Sequence, residues 1–138
     1  MVSEEVPIIG KGIYTILSNT VGVTNLVGTK IYPMIVPENT ELPYIFYEDR
    51  SVSPLVTKEG SFERDYVELF VYCCGNSYTN SKLLGAEVKK ALNYYSGEPV
   101  LGVRFGKIKY MESLKPELEE RITAYMDKQV YRLFLDKN

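Results

Sequence analysis

The strongest pattern in the chain is a regular alternation of side chains between Phe62 and Cys74. One set of alternate positions is uniformly apolar, whereas the other set is mainly aromatic. The apolar set is Val67, Leu69, Val71 and Cys73, and the other set is Tyr66, Glu68, Phe70 and Tyr72. Because successive side chains of a strand point to opposite faces of a sheet, this alternation predicts a strand in which both faces are partly buried.

Four other segments are rich in β-branched, aromatic or apolar residues and predict further strands. They are Ile31–Pro37, Tyr44–Tyr47, Val100–Met111 and Ile122–Leu135. Proline lacks the N–H that a sheet ladder needs, so the two prolines of Ile31–Pro37 predict an edge strand or a covering loop. The polar segment Ser51–Gly60 and the acidic segment Glu112–Glu120 are predicted to be connecting loops. Loops between successive strands favour antiparallel pairing.

Two segments have apolar residues at helical spacing. The first runs from Pro7 to Asn19, and Pro7 suits the first position of a helix because that N–H has no intrahelical partner. The second follows Ser77, whose hydroxyl can cap a helix N-terminus, and continues to about Leu92. The stretch Thr20–Lys30 contains many small residues and predicts a short helical turn or a loop.

This order of elements predicts one α+β domain spanning residues 1–138, a length typical of a single domain. We expect a mainly antiparallel sheet of four or five strands with two helices packed on one face. The second face of the sheet is then left partly apolar. It must be covered by the segment Ile31–Pro37, by curvature of the sheet or by another chain.

Composition excludes several kinds of function. Sixteen Lys and Arg against eighteen Asp and Glu give a net charge of −2, which disfavours free-standing nucleic-acid binding. The chain has no histidine, so Ser-His-Asp and Cys-His catalysis and histidine-containing metal sites are excluded. No apolar run approaches the ~20 residues needed to span a bilayer, so we expect no membrane association. The two cysteines are adjacent, Cys73 and Cys74, and are predicted to be small buried side chains.

Paired carboxylates near strand ends are the remaining candidates for catalysis. Glu48 and Asp49 are neighbours along a strand, so their side chains should point to opposite faces and should not converge. We therefore interpret them as solvated strand ends rather than as the site of a hydrolase. Gly10-Lys11-Gly12 lacks the spacing of a phosphate-binding loop and is interpreted as part of the first helix. No cofactor and no metal site are expected.

Twelve tyrosines and no tryptophan distinguish this sequence. Tyrosine combines a large apolar body with a polar tip, which suits half-buried surfaces and protein interfaces. Three interpretations remain open for the aromatic side of the central strand. It can decorate an exposed sheet, form a surface for self-association, or bind a small ligand.

Taken in order, these segments resemble the tail-completion family of long-tailed bacteriophages, whose members are also called tail terminator or tail-to-head joining proteins. The likeness rests on four segments that follow the N-terminal helix. They are Gly28–Pro33, the proline-tyrosine strand entry Leu42–Tyr47, the strand Asp65–Tyr72, and the helix that Ser77 opens and that ends at Glu87–Leu92. The resemblance covers nearly the whole chain, and its specificity lies in the order and spacing of these segments.

This resemblance implies an α+β structural protein of a virion or a prophage, without catalytic residues. It implies a ring, typically of six copies, that caps the tail tube and joins the tail to the head. The expected partners are other copies of the chain, the tail-tube protein and a head-completion or connector protein. DNA would pass through the lumen of the ring without sequence-specific binding. The expected location is the tail or neck of the virion, and the host cytoplasm during assembly.

Two sets of residues are candidates for the surfaces of such a ring. The set proposed to contact other subunits or partners is Tyr66, Phe70, Tyr72, Pro54 and Leu55. The set proposed to face the lumen is Glu112, Glu117, Glu119 and Glu120. Two alternatives stay open at this point: another phage neck or tail-adaptor protein, and a small non-catalytic α+β module that binds a ligand or a protein.

Overall fold

A computed structural model describes residues 5–51, 55–56, 62–64, 66–93, 95, 105–119 and 124–135. Within these residues the helices are α1 (Glu5–Ser18), α2 (Val21–Val27) and α3 (Tyr78–Leu92). The strands are β1 (Ile31–Pro33), β2 (Tyr44–Ser51), β3 (Leu55–Val56), β4 (Phe62–Arg64), β5 (Tyr66–Gly75), β6 (Phe105–Glu119) and β7 (Ala124–Leu135). The predicted α+β class is therefore confirmed.

Five of the strands form one mixed sheet in the order β1-β2-β5-β7-β6. The pairs β2–β5, β5–β7 and β6–β7 are antiparallel, as predicted, whereas β1 runs parallel to β2. The parallel pair requires the chain to return along the sheet before β2 begins, and the segment between Met34 and Pro43 makes that return. Met34 and Asn39 adopt positive φ values of 66° and 65° within it.

All three helices contribute to a core on one face of the sheet. Ile13 and Leu17 of α1, Val23 of α2 and Leu84 of α3 are fully or almost fully buried in the same hydrophobic cluster. The sheet side of this cluster is Ile31, Ile45, Tyr47, Val67, Leu69, Val71, Cys73, Ile108, Tyr131 and Leu133. The predicted inward set of the central strand is thus confirmed, and we call this side of the sheet the helix face.

The region predicted as a short helical turn or a loop, Thr20–Lys30, contains a two-turn helix. Its valines Val23 and Val27 lie one helical turn apart and are both buried. Gly28 ends this helix with φ 62°, a conformation that glycine adopts without steric cost. The number of helices on the helix face is therefore three in the described residues rather than the predicted two. Burial of Val23 and Val27 stabilises α2. The intrinsic helix propensity of seven residues is too weak to form a helix by itself.

The prediction that Glu112–Glu120 is a connecting loop is wrong. β6 continues through Glu119 and pairs with β7 along nearly its whole length. Its register shifts between Tyr110 and Glu112 and again between Leu114 and Glu117. Such bulges, on a strand at the edge of the sheet, accommodate the missing N–H of a proline such as Pro116.

The segment Phe62–Cys74 is two strands rather than one. Phe62–Arg64 pairs with Leu55–Val56 in a separate two-stranded sheet, so part of the predicted loop Ser51–Gly60 is also a strand. The strand of the main sheet begins at Tyr66 and ends at Gly75. The alternation of side chains continues through both strands, and for that reason it does not reveal the break.

Candidate interaction surfaces

The face of the sheet opposite the helices carries a row of aromatic and charged side chains, which we call the open face. It contains Phe46 and Glu48 from β2, Glu68, Phe70 and Tyr72 from β5, and Lys128 and Arg132 from β7, all of them half-buried. This placement follows from alternation, because their sequence neighbours Tyr47, Leu69, Val71 and Leu133 lie in the core. The two-faced character predicted for the central strand is therefore present in the fold.

Specific contacts order the side chains of the open face. The rings of Phe46 and Tyr72 stack with their centroids 4.4 Å apart. The Tyr72 hydroxyl donates a hydrogen bond of 3.1 Å to Glu48 Oε2. Lys128 Nζ lies 5.3 Å from the centroid of Tyr72 and 5.5 Å from that of Phe70, within the range of cation–π attraction. The open face is thus a preorganised surface of mixed aromatic and ionic character, which is the composition of many protein interfaces.

The segment between β1 and β2 covers only one end of the open face. It leaves a groove of about 560 Å³ between itself and Tyr44, Phe46 and Met126. Met34 and Ile35 of this segment are 65% and 79% exposed. Of the three possible covers predicted for this face, the Ile31–Pro37 segment therefore supplies a partial one.

A second pocket, of about 450 Å³, opens beside α1 where β1 ends. We call it the Asp49 pocket; it is lined by Gly10, Lys11, Tyr14, Thr15, Pro33, Met34, Tyr47 and Asp49. β1 pairs with β2 only as far as Tyr47, so Asp49 lies beyond the last residue that β1 covers. The Tyr47 hydroxyl donates a hydrogen bond of 2.7 Å to the carbonyl of Gly10 and holds α1 against this edge.

One oxygen of the half-buried Asp49 carboxylate lacks a hydrogen-bond partner in this pocket. Its Oδ2 atom is buried and accepts no hydrogen bond. The pKa of Asp49 is raised, mainly because burial disfavours the charged carboxylate. A backbone hydrogen bond to the carboxylate lowers the pKa, and the negative charge of Glu48 raises it further. The pKa of Tyr47 is raised as well, mainly by burial and then by the charge of Asp49. The interpretation of Asp49 as a solvated strand end is therefore wrong, because this position points inward, as Ile45 and Tyr47 do.

The structure confirms that Glu48 and Asp49 do not converge. Glu48 accepts its hydrogen bond from Tyr72 on the open face, whereas Asp49 lies in the pocket on the helix face. Two neighbouring carboxylates on opposite sides of a sheet cannot share a substrate or a proton. This geometry removes the pair as an acid–base couple.

We expect Asp49→Asn to raise the free energy of unfolding at pH 7 by about 1 kcal/mol, because it removes the charge of a half-buried carboxylate whose Oδ2 has no hydrogen-bond partner; solvent screening of a half-buried group keeps the effect at the low end of the usual cost. The folded-state pKa of Asp49 is raised, so ionisation of this group destabilises the folded chain as pH rises above the unfolded value of about 3.9. The difference between variant and wild type should therefore shrink as pH falls towards 4. Urea denaturation at several pH values measures it.

The exposed residue Glu38 provides the matched control. Glu38→Gln also removes one carboxylate but relieves no burial, so its unfolding free energy should equal that of the wild type. A variant Asp49→Asn that is no more stable than the wild type at pH 7 would contradict the interpretation of Asp49 as a half-buried acid with one unsatisfied oxygen.

Lysines collect at the opposite edge of the sheet, which we call the basic edge. Its exposed members are Lys89 and Lys90 of α3 and Lys109 of β6. Lys89 Nζ lies 4.0 Å from the ring centroid of Tyr110, and Lys90 Nζ lies 3.4 Å from Glu87 Oε2. Asn93 Oδ1 accepts a hydrogen bond of 3.0 Å from the Tyr110 N–H and ties the end of α3 to β6. In the part of the chain that the structure describes, Lys109 makes no ion pair; its register partner is Arg132, so it lies on the open face of the sheet, whereas α3 lies on the helix face.

A buried polar network lies between α3 and β7. Tyr131 donates to Gln129 Oε1 at 2.6 Å, and Gln129 Nε2 donates to the carbonyl of Gly85 at 2.8 Å. Lys82 Nζ lies 3.4 Å from Asp127 Oδ1, whose residue is 2% exposed. The members of the network pair with one another, so we assign it to the stability of the fold.

The two cysteines are free and buried, as predicted. Burial is the main cause that raises the pKa of Cys74 to about 12, and it raises the pKa of Cys73 well above its ordinary value. Both thiols are therefore protonated at neutral pH, and a protonated buried thiol is a poor nucleophile. In the described residues, no group of three or more Cys, Asp or Glu side chains could hold a metal ion. A search of the same residues finds no helix long and apolar enough to cross a membrane.

The structure brings together only some of the residues proposed from sequence. Phe70 and Tyr72 lie side by side on the open face. The backbone of Tyr66 lies in β5 and that of Leu55 in β3, in a different sheet, whereas Pro54 lies outside the described residues. Glu112 is exposed on β6; Glu117 and Glu119 lie further along the same strand, and Glu120 lies outside the described residues.

Sequence reasoning did not assign the Asp49 pocket or the basic edge to a function. One signal could have found the pocket: Ile45, Tyr47 and Asp49 occupy alternate positions of one strand, and a carboxylate that continues an inward-facing apolar series is unusual. The contact between α1 and β2, which closes the pocket, has no local signal. It joins residues 37 positions apart.

Comparison with known proteins places the chain among phage components. A model of the family described as tail completion protein gp17 matches residues 11–104. A chain in the virion of a native gene transfer agent particle superposes with a TM-score of 0.77 at 16% identity, over 95% of this chain and 96% of that chain. Another solved structure superposes with a TM-score of 0.60 at 8% identity, over 100% of this chain and 99% of that one. No curated protein matches the sequence.

Proposed function

This chain belongs to the family of the tail completion protein gp17, a family of phage tail structural proteins, and on that premise we propose that it is a tail terminator. It forms a ring, of six copies in the simplest case, that caps the tail tube and joins it to the connector of the head. Its work is assembly rather than catalysis. The match to the family model over residues 11–104 is the observation that carries this proposal.

The open face supports self-association. A ring requires a heterologous contact, in which one surface of a subunit meets a different surface of the next. A stable contact buries more than about 1,000 Å², and its energy is concentrated in a few aromatic or arginine side chains. Phe46, Phe70 and Tyr72 are such side chains, and they are already ordered by stacking and by Lys128.

The acidic residues of β6 are proposed to face the lumen. Glu112 is exposed, and Glu117 and Glu119 belong to the same edge strand. Negative charge around a channel repels the phosphate backbone and keeps DNA from adhering to the wall. The partners in this proposal are other copies of the chain, the tail-tube protein and the head connector. The protein would meet them in the host cytoplasm during assembly and remain with them in the neck of the virion.

Electron microscopy tests the proposal most directly. We expect negatively stained images of the purified protein, alone or mixed with tail tubes, to show rings with a central hole at one end of the tube. A fixed stoichiometry from sedimentation or mass photometry would give the copy number.

Two results would contradict the tail-terminator function. Rings that bind only the head connector and never the tube would indicate another neck or adaptor protein. A monomer at every concentration that also leaves tubes uncapped would indicate a small binding module. Neither result depends on which surface of the chain forms the ring contact.

A further inference from the structure

Within the described residues, Asp49 Oδ2 has no hydrogen-bond partner and Lys109 makes no ion pair, and the two residues lie towards opposite edges of the sheet. The strand order β1-β2-β5-β7-β6 separates β2 from β6 by two intervening strands, or about 14 Å at the usual strand spacing. A single chain therefore cannot bring Lys109 to Asp49 through its own sheet. In a heterologous contact between two copies, by contrast, the open face at the β6 edge of one subunit, where Lys109 lies, can meet the helix face beside α1 of its neighbour, where the Asp49 pocket opens.

The shape and chemistry of the Asp49 pocket fit one kind of group. Its walls are largely apolar, with Tyr14, Pro33 and Met34 near the mouth, and its polar end is the buried Oδ2 of Asp49. A lysine or arginine side chain has the same two parts, an aliphatic stem and a cationic tip. The tip would pair with the carboxylate, and the stem would contact the apolar walls.

We propose that the Asp49 pocket binds the side chain of Lys109 from the β6 edge of a neighbouring copy of this chain. This inference rests on the proposed ring and names one of its contacts. Lys109 is the member of the basic edge without a partner in the described residues, since Lys89 lies on Tyr110 and Lys90 pairs with Glu87. The raised pKa of Asp49 agrees with a carboxylate that lacks its cation in the isolated subunit.

A competing occupant of the pocket is Lys11 of the same chain. Lys11 lines the pocket and is exposed. It makes no ion pair with Asp49 in the structure, in which both residues are described. The hydrogen bond from Tyr47 to Gly10 holds α1 against β2, and even with the helix this close the ammonium group of Lys11 is not within ion-pair distance of Asp49. The inference therefore commits to the neighbouring copy.

A double-mutant cycle on the full chain tests this contact. The variants are Asp49→Asn, Lys109→Gln and the combination, each assayed for ring formation by sedimentation velocity and negative-stain imaging. Loss of one partner leaves the other charge buried and unpaired, so each single change should weaken association at least about tenfold. The combined variant should be no weaker than the worse single variant, because both act on the same contact.

Three outcomes would overturn the inference. Singly mutated chains that form rings as readily as the wild type would show that the contact is absent. Effects that multiply in the combined variant would show that the two residues act separately. A loss of folding stability in Lys11→Met, with Asp49→Asn suppressing it, would show that Lys11 occupies the pocket instead.

The outcome for the ring itself is separate. Rings that form normally in the Asp49→Asn and Lys109→Gln variants leave the tail-terminator function standing and remove only this contact. A wild-type chain that neither forms rings nor caps tubes removes the proposed function, and the inference with it. A variant Asp49→Asn that forms rings but fails to cap tubes would place the cationic partner on the tube protein and would contradict the assignment to a neighbouring copy. Lys90→Gln, which removes an exposed lysine of α3 already paired with Glu87, serves as the matched control and should associate like the wild type.

Discussion

Replacing Gly85 with alanine is expected to lower the free energy of unfolding by about 3 kcal/mol, because the added methyl group overpacks a buried polar network. A Cβ atom at this position would overlap Asp127 Oδ2 and would lie 2.8 Å from Gln129 Nε2. Both atoms are buried, and Gln129 also bonds to the carbonyl of Gly85. The methyl group therefore disrupts a network that has no room to relax.

Gly22→Ala is the matched control, because Gly22 also lies within a helix. Its Cβ would meet the carboxylate of Glu87, which is the far end of a flexible surface side chain and can move away. Alanine also favours a helix over glycine by about 1 kcal/mol, so Gly22→Ala should be neutral or slightly stabilising. Chemical denaturation of both variants measures the difference, and equal stabilities would contradict the tight packing of α3 on β7.

Removing the aromatic rings of the open face is expected to have the largest effect on assembly. In the double variant Phe70→Ala/Tyr72→Ala, the stack with Phe46, the bond to Glu48 and the contacts with Lys128 are all lost. If this face forms a subunit contact, each ring is a candidate hot spot worth about 2 kcal/mol or more. Association should then fall by a factor of several hundred or more.

Two comparisons separate lost assembly from lost folding. Leu83→Ala removes a side chain of α3 that is 55% exposed and lies on a helix packed against the other face, so its ring formation should match that of the wild type. Circular dichroism and thermal melting establish that the double variant is folded. A folded double variant that assembles normally would exclude the open face as a subunit contact.

Side-chain alternation in β5 illustrates what local sequence could predict. The inward positions Val67, Leu69, Val71 and Cys73 are all buried, and Phe70 and Tyr72 lie on the other face. The period of two is a property of extended backbone and holds whatever the strand packs against. The helix that Ser77 caps was also predictable from local sequence. Its capping hydrogen bond, which the Ser77 hydroxyl accepts from the N–H of Asn80, joins residues only three positions apart.

The errors lie where distant segments decide local structure. β6 extends to Glu119 because β7 offers a pairing partner over that length, not because an acidic segment with a proline favours strand. α2 forms because Val23 and Val27 are buried in the hydrophobic core. Strand pairing and side-chain burial are tertiary interactions. Their contribution to stability exceeds the small intrinsic secondary-structure preferences of short segments.

The sequence by itself determined the long helices α1 and α3, the two faces of the central strand and the absence of histidine chemistry, because these depend on residue identity and on backbone period. Only the tertiary structure decided which residues meet at the edges of the sheet. It buries the Oδ2 atom of Asp49 without a hydrogen-bond partner beside α1, and within the described residues it leaves Lys109 without an ion pair on the far edge strand. The physical reason is that strand order is set by pairing between residues far apart in the chain, and no local pattern encodes which strands become the edges.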